Sequence, residues 1–349
     1  MPGDAARGDD GRREGAGQPL TGLVRGLLAG HGRSLYGIGL VATAVTAVLG
    51  LSVLAAGFAM IAGPYATAWR EQRITLAQED AASGYAGHIG TVYTVGAVVT
   101  ASLVLLAFLV LGLLHTAHAV AADRYLAGAR QSTIREVWQR TRPRLGAALR
   151  VQVLTAARVG TAVLPGLVLW LVLEARLIPG VQDRLLTDTR ESRYELACQG
   201  VLLATVVVGF YVASRLCTAT AALVLDELSP REAVRRSWAL TRGARARTFG
   251  VCLLLTLAVG AAFLLLREAA HPLVQPAETA MSWISDDNPY MTAALVTITR
   301  STVGLLLLPA VISPPVCSAL ALMYGGRARG CGAPNAGFSE PGGWASESL

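Results

Sequence analysis

Residues 92–122 read Val92-Tyr-Thr-Val-Gly-Ala-Val-Val-Thr-Ala-Ser-Leu-Val-Leu-Leu-Ala-Phe-Leu-Val-Leu-Gly-Leu-Leu-His-Thr-Ala-His-Ala-Val-Ala-Ala122, with no Asp, Glu, Lys or Arg. A helix needs about 20 predominantly apolar residues to cross a hydrocarbon core roughly 30 Å thick, and this run exceeds that length. It reads as a membrane span. Five further segments meet the same criterion: Leu35 to Ala62, Val151 to Ala175, Leu196 to Leu225, Phe249 to Leu266 and Thr292 to Tyr324. Composition agrees, since 53% of the 349 residues are hydrophobic and only 15% are charged, whereas soluble domains carry about 25% charged residues. A soluble enzyme is therefore excluded as a first reading. The expected fold class is all-α, a polytopic membrane domain over 20–325 with six transmembrane helices and short amphipathic interfacial helices. The Gly-, Pro- and charge-rich tails 1–19 and 326–349 are expected to be disordered. The first apolar run is too long for a signal sequence and is expected to stay as a span. Pro309, Pro314 and Pro315 mark the sixth span as the one to break, because each removes a backbone hydrogen bond.

All thirty basic residues are Arg, and the net charge is +7. Such a balance can signal nucleic-acid binding, but its distribution follows the membrane instead. Segments 1–34, 123–150, 226–247 and the C-terminal tail hold twenty Arg, the three alternate connections hold seven, and Arg158, Arg215 and Arg300 fall inside spans. By the positive-inside rule both termini are expected to be cytoplasmic, in a bacterial plasma membrane, with the basic face suited to an anionic leaflet. Five cysteines without a C-x-x-C pair indicate neither a disulfide framework nor a zinc site and read as small packing residues.

One local pattern recurs. Trp138-Gln-Arg-Thr141-Arg142 returns as Trp238-Ala-Leu-Thr241-Arg242, each just before a span. Thr133 with Glu136, and Ser229-Pro230 with Glu232, supply helix start signals. Ile134, Val137, Trp138, Thr141 and Leu145 share one helical face, as do Val234, Trp238 and Thr241. Two short interfacial helices are expected. A third copy, lacking the Trp, is readable over Leu20 to Gly37, which would make the unit an interfacial helix plus two spans, repeated in parallel topology.

The segment Ala222-Leu-Val-Leu-Asp-Glu-Leu-Ser-Pro-Arg-Glu-Ala-Val-Arg-Arg-Ser-Trp-Ala-Leu-Thr-Arg-Gly243, leading into Phe249-Gly250, resembles the membrane domain found with glycerophosphoryl diester phosphodiesterases and its stand-alone bacterial relatives. Arg124-Tyr-Leu-Ala-Gly128 followed by Glu136-Val-Trp-Gln-Arg-Thr-Arg-Pro-Arg-Leu145 is similar to the matching motif before the third span. The resemblance covers roughly 20–325 and implies a six-span membrane protein, of a kind commonest in high-GC actinobacteria and mostly uncharacterised. Relatives often follow the last aromatic with Asp, whereas here Tyr324 leads to Gly325-Gly-Arg-Ala-Arg329. The phosphodiesterase chemistry of the family belongs to a separate soluble barrel and is not carried over.

Candidate binding residues follow from charge and depth. Arg158, Arg215 and Arg300 could form an anion cluster, because an intramembrane guanidinium costs at least about 2.5 kcal/mol unless paired or hydrated. Equally, each could be snorkelling or paired, with Asp226 open to Arg215. Trp138, Arg142, Arg235, Arg236, Trp238 and Arg242 could hold lipid or a partner, or the Trp residues could simply anchor their helices. His115 and His118 share a helix face, yet two ligands do not make a metal site. Asp286 and Asp287 read as a solvated turn. No nucleotide, zinc-protease or nucleophile-elbow motif is present, so no cofactor is expected and the chain is read as non-enzymatic. The leading expectation is a scaffold or accessory protein that organises anionic lipid at the basic face, with a membrane protein partner or a second copy as the other partners considered. The alternative is a small-solute or lipid transporter.

Overall fold

The computed structural model describes residues 20–78, 89–129, 131–174 and 191–330. Every regular element among them is helical: α1 Leu20–Gln78, α2 Ile89–Leu126, α3 Ile134–Thr141, α4 Leu145–Glu174, α5 Glu191–Leu216, α6 Ala219–Leu225, α7 Pro230–Leu240, α8 Arg245–Ala269, α9 Val274–Ile284 and α10 Pro289–Gly330, with 3₁₀ turns at Arg142–Arg144 and His271–Leu273. Six helical stretches are long and apolar enough to cross a membrane. The chain is a multi-pass helical membrane protein, as its apolar runs require.

Four expectations change in detail. The sixth span does not break, for α10 continues through Pro309, Pro314 and Pro315, with Ser313 and Ala310 packed against α1 at Gly39. The interruption falls in the fourth span instead, at Cys217–Thr218, between α5 and α6. There the Arg215 carbonyl accepts from the Ser237 hydroxyl at 3.0 Å and the Thr241 hydroxyl at 3.4 Å, so a side chain of α7 and that of the residue ending it supply the donors that a continuing helix would have provided. The weak third repeat copy is not a separate helix, because Leu20 to Gly37 is the unbroken start of α1, without the capped start of the other two. Finally, α10 extends through 326–330, five residues past the expected boundary, where Gly325 is pressed under Leu126 and Leu225. The expected tail 1–19 and the rest of the C-terminal tail lie outside the described residues, as does Arg130.

Helices α1, α2 and α10 pack together, α4 pairs with α5, and α8 leans on α10. Small residues set the closest approaches. A Cβ at Gly166 would meet the Thr205 hydroxyl at 2.1 Å, and one at Gly209 would meet Val163 at 2.6 Å, so α4 and α5 interlock through two glycine notches. The buried core is displaced to one end of this bundle. It joins Leu27, Leu35 and Ile38 of α1, Leu114 to Ala122 of α2, nearly all of α6, and Val137, Val151, Val234, Leu322 and Tyr324. Residues 116–122 of α2 and 219–224 of α6 are buried on every side, as in helices surrounded by protein. The membrane-crossing window of α4 has none of its residues buried, whereas that of α10 has 39%. Exposed Leu and Val side chains on α4, α5 and α8 thus face where lipid would be.

Candidate functional site

The two W-x-x-T-R motifs lie at the end of the bundle that holds the core. Thr133 and Glu136 form a reciprocal cap at the start of α3, and the same carboxylate pairs with Arg124 at 2.5 Å, clamping α3 to the end of α2. At α7 the Glu232 carboxylate accepts from the Ser229 hydroxyl at 2.6 Å and the Ser229 amide at 3.2 Å. These bonds, the hydroxyl first, hold the Glu232 carboxyl below its ordinary titration range. Ile134 meets α1 at Gly37, and Ser34 and Ser132 share a hydrogen bond of 3.1 Å.

The motifs are bound to one another. Arg144, which follows the first, donates to the Val224 carbonyl at 3.0 Å and pairs with Glu227 at 2.5 Å, capping α6. Glu227 stands at φ 51°, a left-handed conformation that turns the chain from α6 toward α7. Asp226 meets Arg236 of α7 at 3.9 Å and receives the Tyr324 hydroxyl of α10. Arg124, Arg144 and Arg236 are therefore internal clamps.

Arg215 is almost wholly buried, at 3% exposure. Its Nη1 donates to the Tyr211 hydroxyl at 3.2 Å and its Nη2 to the Trp238 carbonyl at 3.1 Å. The guanidinium lies 4.7 Å from the Trp238 ring centre and 5.9 Å from that of Tyr211, a cation–π clamp of the kind that strengthens on desolvation. No carboxylate among the described residues lies within 4 Å of it, and Asp226 is engaged elsewhere. Arg215 pins α7 to α5.

The three intramembrane Arg do not come together. Arg158 is exposed on the flank of α4, Arg215 is folded into the basic end, and Arg300 pairs with Glu268 near the opposite end of the bundle. The two Trp differ as well. Trp238 is half-buried against Arg215, whereas Trp138 is 43% exposed, with its carbonyl taken by the Arg142 amide. Arg142, Arg235 and Arg242 are exposed, and with Arg135, Arg140, Arg150, Arg231, Arg245 and Arg247 they make nine exposed guanidiniums on and beside α3 and α7. None of the nine has an acidic partner within 4 Å among the described residues. His118 commits its Nδ1 to the Leu114 carbonyl at 2.6 Å, and no trio of His, Cys, Asp or Glu suited to a metal occurs among the described residues.

The opposite end has its own fastening. Asn288, buried, donates to the Tyr65 carbonyl at 3.0 Å and accepts the amides of Tyr290 and Met291, starting α10 and tying it to α1. Tyr65 stacks on Tyr290 at 6.0 Å. Asp286 and Asp287, both at φ 55°, form the turn before it. The connection there also contains α9, which leaves Trp283 and Ile284 the most exposed large apolar side chains among the described residues, at 89% and 74%.

Sequence reasoning counted Arg144 only as a charge and did not single out Tyr211, Ser237 or Glu227. Ser237 was visible as the Ser before Trp238, a position that is Val in the first copy. A scan against protein-family models gave no match, and searches of curated proteins and of solved structures gave none either.

Proposed function

We propose that this protein is a non-catalytic accessory or scaffold protein of a bacterial plasma membrane. Its basic end, with both termini on that side, faces the cytoplasm and holds anionic lipid headgroups. The observation that carries the reading is the division of labour among the arginines. Arg124, Arg144 and Arg236 pair with acids and fasten α2, α3, α6 and α7 together, while nine others, exposed on or beside two short amphipathic helices, have no acidic partner within 4 Å among the described residues. A juxtamembrane Arg near an anionic surface contributes about 1 kcal/mol, so such a set favours a charged leaflet over a neutral one. Trp138 and Trp238 sit among these charges, in keeping with headgroup depth. The motif resemblance to the phosphodiesterase-associated membrane domain fits a stand-alone membrane protein and brings no hydrolytic residues with it.

The transporter alternative draws on the repeats, the intramembrane Arg residues and Pro-broken helices in the sixth span. Here α10 is continuous, and the groove of about 480 Å³ between α1, α9 and α10 is lined by apolar side chains apart from Thr299 and Thr302. The test is native mass spectrometry of protein extracted gently from its membrane, comparing wild type with an Arg235→Ala, Arg242→Ala, Arg245→Ala variant. Retained phosphatidylglycerol or cardiolipin in wild type, lost by most molecules of the variant, is expected. Equal lipid content in the two, or neutral lipid only, would overturn the proposal.

A further inference from the structure

Cys217 and Cys252 lie 35 residues apart in the chain, and their sulfur atoms lie 3.5 Å apart in the fold. Cys217 occupies the interruption between α5 and α6 and is half-buried; Cys252, seven residues into α8, is buried. Both are thiols. A disulfide bond measures about 2.05 Å, so the sulfurs need close by only about 1.5 Å. Two uninterrupted helices would resist that movement through their hydrogen-bond ladders. At the α5–α6 interruption the Arg215 carbonyl is held by the Ser237 and Thr241 hydroxyls rather than by the chain ahead of it, so Cys217 sits where the backbone can adjust.

We propose that Cys217 and Cys252 form a redox modification site, which a peroxide converts into a disulfide joining the α5–α6 interruption to α8. The Cys217 thiolate, the more exposed of the two, attacks one peroxide oxygen and the O–O bond breaks. Water leaves after protonation, and a sulfenic acid remains on Cys217. The Cys252 sulfur then attacks the Cys217 sulfur, its proton leaves with the hydroxyl as a second water, and the S–S bond forms. Two thiols and one hydrogen peroxide give one disulfide and two waters, the two electrons passing from sulfur to the peroxide. In a reducing compartment such a bond is transient, as sensing requires. Its position matters because Arg215, which pins α7, precedes Cys217 by two residues, and Arg245 and Arg247 open the helix that carries Cys252. Oxidation therefore cross-links the two helices that flank the second basic motif.

The experiment treats the full chain in its own membranes with hydrogen peroxide, alkylates remaining thiols under denaturing conditions, and maps tryptic fragments by mass spectrometry with and without dithiothreitol. The expected product links fragment 216–231 to fragment 248–267, is lighter than the two thiol fragments by two hydrogens, and disappears on reduction. Cys217→Ser, and separately Cys252→Ser, should abolish it. Alkylated or over-oxidised Cys217 and Cys252 with no link between them in wild type would overturn the proposal, as would preferential linkage of either to Cys198, Cys317 or Cys331.

Discussion

Arg215 brings a formal charge into the buried junction of α5 and α7, and it is retained by two neutral acceptors and two aromatic rings. Removing it takes away one of the two donors to the Trp238 carbonyl, leaving the Thr241 hydroxyl, and opens a gap beneath the indole. Arg215→Ala is expected to destabilise the protein by about 2–4 kcal/mol, the range for disrupting a buried charged hydrogen-bond set. Arg215→Lys should recover only part of this, since one ammonium cannot span both acceptors while lying on the ring. Unfolding followed by Trp fluorescence in mixed micelles measures both, and unchanged stability of Arg215→Ala would contradict the pin. Arg158→Leu, by contrast, removes an exposed charge with no acidic partner among the described residues. Its cost is expected to stay within about 0.5 kcal/mol. From the sequence the two residues looked alike, because hydropathy gives the depth of a charge in a span and not the face it occupies. What separates them is which carbonyls and rings come within reach, and beside Tyr211 on the same helix these are the carbonyl and ring of Trp238 in α7, 23 residues further on.

At the scale of elements, the interfacial helices were legible because their signals are local. Thr133 with Glu136 and Ser229 with Glu232 announce the starts of α3 and α7, and the shared apolar faces announce their orientation. The breaks were not legible, because they depend on neighbours. Three prolines do not interrupt α10, which packs against α1 in that stretch, while a stretch without proline breaks between α5 and α6 because the Ser237 and Thr241 hydroxyls capture its carbonyl. Likewise α9 lies within the connection 267–291, where no helix was expected. The cap of α7 carries a pH dependence with a definite sign. Hydrogen bonds depress the Glu232 pKa in the folded state, so its contribution is complete above the ordinary carboxylate value of 4.5 and is lost as pH falls through the lower folded value. Amide-exchange protection along α7, corrected for the intrinsic rate at each pH, should therefore fall as the pH drops below 4.5, and Glu232→Gln should remove that acid step. An acid step that persists in the variant would assign it to another group. Helix contact makes a second test: a Cβ at Gly304 would lie 3.3 Å from the Arg267 amide nitrogen. Gly304→Val should force α8 from α10 and cost about 1–3 kcal/mol, whereas Gly260→Ala, which meets nothing within 4 Å, should not destabilise.

Across the whole molecule the packing is lopsided, and that follows from what the bilayer does to the hydrophobic effect. A Leu facing lipid in the folded protein also faces lipid when helices separate, so burying it against another helix gains little beyond close contact. At the basic end the alternative environment is water or headgroups, and apolar burial regains its full driving force. The chain concentrates its buried side chains there, in the end of α2, in α6 and beneath α3 and α7, and leaves the spans of α4 and α8 loosely attended. Identical substitutions should therefore have unequal effects. Leu114→Ala and Leu322→Ala, at 0% and 1% exposure, are expected to cost about 2–5 kcal/mol, as in a soluble core. Leu203→Ala and Leu254→Ala, at 65% and 67% exposure, are expected to cost less than about 0.5 kcal/mol. Reversible unfolding in mixed micelles of increasing dodecyl sulfate content distinguishes the two sets. Similar losses at all four sites would mean that the bundle is packed along its full length, and the basic end would then lose its standing as the folded core on which the exposed arginines are displayed.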